Sequence, residues 1–212
     1  MRASRSLVSI LFAAATLAAG CGGGSQAVRI GVITDCADGA TPFSQDQQQT
    51  LAGAELPLIE RGASLRGTNP SEGVSTVNVA GRPVELVFGC ERTGDRRSTL
   101  AELRWRVERE HVAMVVGPTY VGDGLIVREY ARRHPGIAFL VNGGEQTTTL
   151  SDPAPNLFRF ETNGAQWSAG LASYAYHELG WRTVATVGED DPSGWVLVSG
   201  FDAEFCALGG SV

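Results

Sequence analysis

The 212 residues carry 17 basic and 23 acidic side chains, a formal net charge of −6, and an acidic chain without a basic run is a poor partner for nucleic acid. All 17 basic residues are Arg. Without lysine there is no Schiff-base chemistry and no phosphate-binding loop ending in Gly-Lys-Ser/Thr.

The amino-terminal stretch reads as a signal rather than as structure. Arg2 and Arg5 give a positive start, and Leu7 to Ala19 is an apolar run too short to span a bilayer of about 30 Å. The small residues Ala18-Ala19-Gly20 then precede Cys21, so a secretory signal peptide is expected over residues 1–20. The cut site resembles a bacterial lipobox, in which the thiol corresponding to Cys21 is acylated. A lipobox usually has Leu three residues before the cysteine, whereas Ala18 stands there and Leu17 comes one place earlier. An ordinary signal peptide with an incidental cysteine is the alternative. Residues 21–27, with Gly22-Gly23-Gly24-Ser25, suit a lipid anchor and flexible tether. No second run of 18 apolar residues follows, so membrane attachment is expected through lipid alone. Loss of Arg2 and Arg5 leaves 15 of the 17 basic residues against 23 acidic, a net charge of −8. Cys36, Cys90 and Cys206 then remain in an oxidising compartment, where a disulfide is allowed and the odd count leaves one thiol over.

From Val28 the chain alternates between strand and helix signals. Val28 to Thr34 is β-branched and reads as a strand. Thr41 to Gly62 reads as a helix with Pro57 inside, and Ala63 to Gly73 as a loop. Val74 to Val79 and Pro83 to Phe88 flank Ala80-Gly81-Arg82 as a hairpin. Gly94-Asp95 open an amphipathic helix with Leu100, Leu103 and Val107 on one face. A strand over Val112 to Val116, a helix over Asp123 to Arg133, and strands over Ile137 to Val141 and Leu157 to Phe160 follow. The last elements expected are a helix over Gln166 to Leu179, a strand over Thr183 to Val187 and a helix over Gly194 to Leu208.

Such alternation means βαβ units and a parallel sheet. Ligands of these sheets sit outside the carboxyl ends of the strands. Those ends are Thr34 to Asp38, Gly89 to Glu91, Gly117 to Tyr120, Asn142 to Gln146 and Gly188 to Ser193. They are rich in Gly and small polar residues, as a site built from backbone donors requires. Catalytic signatures are missing: no Gly-x-Ser-x-Gly, His-Glu-x-x-His or Cys-x-x-Cys occurs, and His111, His134 and His177 stand beside no nucleophile in a recognisable motif. No enzyme, cofactor or metal site is therefore expected. Glu189-Asp190-Asp191 is better read as a solvated acidic turn than as a cation site.

Several segments resemble the branched-chain-amino-acid type of substrate-binding protein of ABC importers, which has the type I periplasmic-binding-protein fold. They are Val28-Arg-Ile-Gly-Val-Ile, Gly53-Ala-Glu, Val115-Val-Gly-Pro118, Asn156-Leu-Phe-Arg-Phe160, Gly188 to Gly194, Gly200-Phe201 and Ala207-Leu-Gly-Gly210, in the family's order and at near-family spacing. The resemblance implies two α/β lobes around a hinge, with a parallel-sheet first lobe over residues 28–161 and the start of a second lobe over 162–212, the chain stopping partway through it. It also implies an extracytoplasmic lipoprotein that passes a small polar solute, an amino acid or a relative, to an ABC permease in the membrane. A ligand-sensing or structural lipoprotein of the same fold, acting through a receptor protein, is the alternative.

Carried over position by position, the resemblance places ligand contacts at Thr119 and Tyr120, at Gly144, Glu145 and Gln146, and at Ser193. The family commonly has a Ser in the first turn, a small-small-Thr sequence in the second and a Tyr before the glycine matching Gly194, so the hydroxyl and aromatic contacts of an α-amino-acid site have changed here. Phe43 is placed either to stack on a ligand or to fill the core. In a flavodoxin-like strand order the strands ending near Cys36 and Cys90 are neighbours about 4.8 Å apart, which predicts a Cys36–Cys90 disulfide. Two free thiols are the alternative.

Overall fold

The run Val28–Asp35 forms strand β1, and its last five residues are buried. In the computed structural model of the protein, residues 26–35, 43–142 and 146–212 are described, with backbone only for 43–46 and 146. Strand β1 lies inside a six-stranded sheet of order β2-β3-β1-β4-β5-β6, where β2 is Val77–Val79, β3 Arg82–Glu91, β4 Met114–Val116, β5 Ala138–Val141 and β6 Leu157–Arg159. It runs parallel to β3 and to β4, and β4, β5 and β6 continue in parallel. Only the β2–β3 pair is antiparallel. Its two-residue turn, Ala80 and Gly81, has φ of 51° and 80°, both left-handed as a type I′ hairpin turn requires.

Helices cover both sheet faces, because side chains alternate along a strand. Val28 and Ile30 of β1 pack with Leu58 of helix α1 (Phe43–Ile59), Ala63, Val74 and Val84. Ile33 belongs to the larger cluster on the other face, with Leu103 of α2 (Arg96–Arg104), Val127 and Tyr130 of α3 (Gly124–Arg133), and Phe139 of β5. Apolar burial of this kind contributes about 25 cal/mol per Å2. The remaining helices are α4 (Gln146–Thr149), α5 (Gly164–Trp167), α6 (Leu171–His177) and α7 (Pro192–Ala207). Ala172 and Ala175 of α6 bury against Phe205 of α7, which stacks on Phe201 at a centroid distance of 5.7 Å. No helix among the described residues is long and apolar enough to cross a membrane.

Three segments differ from their sequence patterns. The helix expected over Gln166 to Leu179 is two helices, because Gly170 at φ 86° breaks it. The amphipathic helix opening at Asp95 widens after Arg104 into a π-helical turn over Trp105–Arg109. Thr183 to Val187 forms no strand; among the described residues its one ladder contact is a bridge from Thr183 to Ser211. An extended segment becomes a stable strand only when neighbours take up its backbone donors and acceptors.

Candidate functional site

At the carboxyl edge of the sheet, β1 ends in Thr34 and Asp35, both buried, and the register sets Asp35 opposite Glu91 of β3. Strand β4 runs out through Gly117 and Pro118 into Thr119 and Tyr120, and β5 runs out into Asn142. Gly117 has φ 91°, and a Cβ there would lie 2.0 Å from the carbonyl oxygen of Ile33. Only glycine lets the chain turn this tightly against β1 and deliver Thr119 to the edge.

A cleft of about 330 Å3 opens there, lined by Thr34, Asp35, Gln47, Gln49, Thr50, Thr93, Thr119, Tyr120, Val121, Asn142 and Ser193. A second hollow of about 360 Å3 shares Gln49, Thr50, Thr119 and Asn142 with it and reaches Gly53, Val116 and Phe160. The glutamines and Thr50 come from α1. Ser193 comes from the first turn of α7, where Asp191 caps the helix by accepting from the Gly194 amide at 2.8 Å. A Cβ on Gly194 would lie 2.1 Å from the Glu189 carbonyl oxygen, so the loop before α7 folds closely over its own helix start. Tyr120 lines the cleft within reach of the Asp191 carboxylate. Its hydroxyl is pushed above the usual tyrosine range, first by burial and then by the Asp191 carboxylate.

Beneath the cleft lies a group of acids. Glu91 and Asp123 are each 1% exposed, and the fully buried Thr99 hydroxyl lies 3.3 Å from Glu91 Oε2 and 3.5 Å from Asp123 Oδ1. That hydroxyl has one proton to donate and a third acceptor, the Asp95 carbonyl, at 3.1 Å. Burial, and then repulsion from Asp123, lifts the Glu91 carboxyl to about 8 against the opposing Thr99 hydrogen bond. Burial likewise lifts Asp123 to about 6. Asp35 Oδ2 and Asp123 Oδ2 are buried without a hydrogen-bond partner among the described residues. No group of three or more His, Cys, Asp or Glu among the described residues is arranged to hold a metal ion.

Of the residues expected from the sequence, Thr119, Tyr120 and Ser193 are brought together around the cleft. Gln146 opens α4 and Phe43 opens α1, but their side chains lie outside the described residues, as do Gly144, Glu145, Cys21 and Cys36. Cys206 is a free, exposed thiol, whereas Cys90 is engaged. Sequence reasoning put Asp35 on the ligand edge among the strand ends without singling it out, and it missed the contribution of the α1 glutamines and Thr50, and Thr93. The signal for Asp35 is an acid closing an otherwise apolar strand at the sheet edge. The Gln47-Gln48-Gln49 run on a helix following that strand is the signal for α1. Glu189-Asp190-Asp191 forms a capping turn in part: Asp191 holds the α7 amide and Asp190 accepts from Trp195 Nε1 at 3.0 Å.

A family model described as periplasmic binding protein matches residues 27–212. Among solved structures, an ABC transporter substrate-binding protein from Sphaerobacter thermophilus is similar at 26% identity and TM-score 0.70, over 88% of this chain and 46% of that one. A solute-binding protein of an ABC transporter from R. palustris, in complex with 4-hydroxybenzoate, is 19% identical with TM-score 0.65, over 88% of this chain and 45% of that one. A leucine-binding protein from Thermotoga maritima shares the fold at 19% identity and TM-score 0.62, over 87% and 47% of the two chains. The chain thus spans about half the length of the solved structures it matches. No curated protein matches it.

Proposed function

This chain belongs to the periplasmic binding protein family, and from that premise we propose that it is the solute-capturing part of an ABC importer, holding a small polar ligand at the carboxyl edge of its sheet. The observation that carries this reading is the cleft itself. Thr34, Thr119 and Asn142 from three adjacent parallel strands meet Gln49 and Thr50 of α1 on one side, and Ser193 of α7 closes the other. Ligand sites are concave, with a few convergent polar groups that fix orientation. Among the described residues this one offers hydroxyls, amides and the Asp35 carboxyl. We further propose that the protein works outside the cytoplasm, tethered through an acylated Cys21, with a Cys36–Cys90 disulfide clamping β1 to β3. The register supports that clamp, since Thr34 pairs with Cys90 two residues before Cys36. Residues 28–161 act as one lobe and 162–212 open a second, and an ABC permease receives the solute.

Thermal melting against a panel of amino acids, amides, amines and small carboxylates tests the reading. A bound solute at about 100 times its Kd adds about 2.7 kcal/mol. Thr119→Ala, which removes a hydroxyl from the cleft wall, is expected to weaken whichever solute raises the melting temperature. If no solute stabilises the protein, or if Thr119→Ala leaves binding of every solute unchanged, the cleft is not the site.

A further inference from the structure

We propose that the solute carries a cationic nitrogen group, an ammonium, amidinium or guanidinium, seated against Asp35; this rests on the solute-binding reading above. Three observations on the cleft point the same way. First, Asp35 both lines the cleft and is 8% exposed, and its Oδ2 is buried with no donor among the described residues. A carboxyl oxygen cut off from water and from protein donors is costly, and such groups in folded proteins normally have partners. A donor on the solute, meeting the carboxyl group where Asp35 lines the cleft, offsets that cost. Second, no Arg or His lines either hollow among the described residues, and the chain has no lysine to offer. A solute carboxylate would find no counter-charge on this wall, while Asp35 would repel it. Third, Asp123 stands behind the wall with its Oδ2 also unpartnered among the described residues, while Glu91, opposite Asp35 in register, keeps its proton near neutrality and adds no charge. Asp35 and Asp123 therefore make the potential over the cleft floor negative, and a negative, water-poor recess concentrates cations. Thr34 and Thr119, which line the same cleft, add acceptor oxygens suited to the remaining N–H groups of such a head.

The solved relative in complex with 4-hydroxybenzoate binds an aromatic carboxylate, so the charge assigned here is opposite to that ligand's. The test uses the full chain and matched probes that share a body and differ in their head group. Benzamidine, benzamide and benzoate form one set; 1,4-diaminobutane, succinamide and succinate form the other. Thermal shift and titration calorimetry are run on the wild-type protein and on Asp35→Asn, Asp35→Glu and Thr119→Ala. The expected result is stabilisation by benzamidine or 1,4-diaminobutane and none by the carboxylates. Affinity should fall about tenfold or more in Asp35→Asn and return in part in Asp35→Glu, which keeps the charge and checks that the site still folds. Stabilisation by benzoate or succinate overturns the proposal. So does cation binding that survives Asp35→Asn but weakens in Thr119→Ala, an outcome that leaves the solute-binding reading standing. Cation binding indifferent to both positions, or no shift with any probe, overturns the proposal together with that reading.

Discussion

Replacing Glu91 by Gln should flatten the dependence of stability on pH. Glu91 is 1% exposed, and its carboxyl is raised from 4.5 to about 8, first by burial and then by the charge of Asp123. The folded protein thus holds a proton on Glu91 that the unfolded chain has released. A group of this kind lends its full stability below about pH 4.5 and loses it as pH climbs to about 8. At about 1.4 kcal/mol per pH unit, the shift bounds the loss at about 5 kcal/mol. Glu91 titrates together with the neighbouring carboxyls rather than singly, so about 2 kcal/mol is expected for Glu91 itself. In a chain of this size that is roughly 4–8 °C of melting temperature. Gln is nearly isosteric, cannot ionise and still accepts from the Thr99 hydroxyl. The assay is thermal unfolding followed by circular dichroism between pH 5 and 8.5 at fixed ionic strength. Wild-type protein should lose stability steadily across that range. The variant should lose it mainly below about pH 6, where Asp123 gives up its proton, and should melt higher than wild type above pH 8. Parallel curves for the two proteins would refute the assignment of the buried proton to Glu91.

Gly117→Ala is expected to cost more than about 2 kcal/mol, because it forces a side chain to adopt φ 91° and sets a Cβ 2.0 Å from a backbone oxygen; urea unfolding measures it. Asn156→Ala removes an amide whose two N–H groups are shared among the carbonyls of Ala131, His134 and Ile137, at 3.0, 2.9 and 2.8 Å, tying the end of α3 to the start of β5. Chemical denaturation should show a loss of about 1–3 kcal/mol. Leu103→Ala opens a cavity at a fully buried position of the main core and should cost about 2–5 kcal/mol in the same assay. In unreduced protein, iodoacetamide should label Cys206 but reach Cys36 and Cys90 only after reduction, as read by peptide mass spectrometry; labelling of all three before reduction argues against the bridge.

The order of strands and helices through β6, apart from the short α4 that was not expected, was legible because hydrophobic period and turn residues carry it. Val28–Asp35, Ala138–Val141 and Leu157–Arg159 fall where β-branched and aromatic runs lie between glycines, prolines and asparagines. The hairpin follows from Ala80-Gly81, which supplies two left-handed residues. Past Thr162 the last helix was legible, α7 falling where Gly194 to Leu208 was expected, but between Thr162 and Val187 the local signal failed for a physical reason. A helix continues through or stops at a glycine according to its packing, and Gly170 stops one that periodicity alone extends to Leu179. The apolar run after Thr183 looks like a strand, but strand formation depends on a neighbour, and Ser211 alone supplies a bridge. The edge that forms the site was legible as a set of strand ends, whereas its chemistry was not. Nothing local says that Asp35, Glu91 and Asp123, from three separate segments, converge behind one wall.

That convergence ties the stability of the sheet to the chemistry of the cleft. Thr99 can give its single proton to one acceptor at a time, while Glu91, Asp123 and the Asp95 carbonyl all lie within its reach. The deficit of donors is met near neutrality by the proton that Glu91 retains, so the sheet edge keeps a neutral acid where a buried ion pair would need a cation from the protein. Asp35 is one of the charges that raises Glu91. A cation seated against Asp35 offsets that repulsion and lowers the hold of Glu91 on its proton. By linkage, such a ligand binds more tightly once the proton has left, so its affinity rises with pH toward 8 over the interval in which the unliganded protein loses stability. Bound cation and buried proton thus act as alternative neutralisers of one acidic recess.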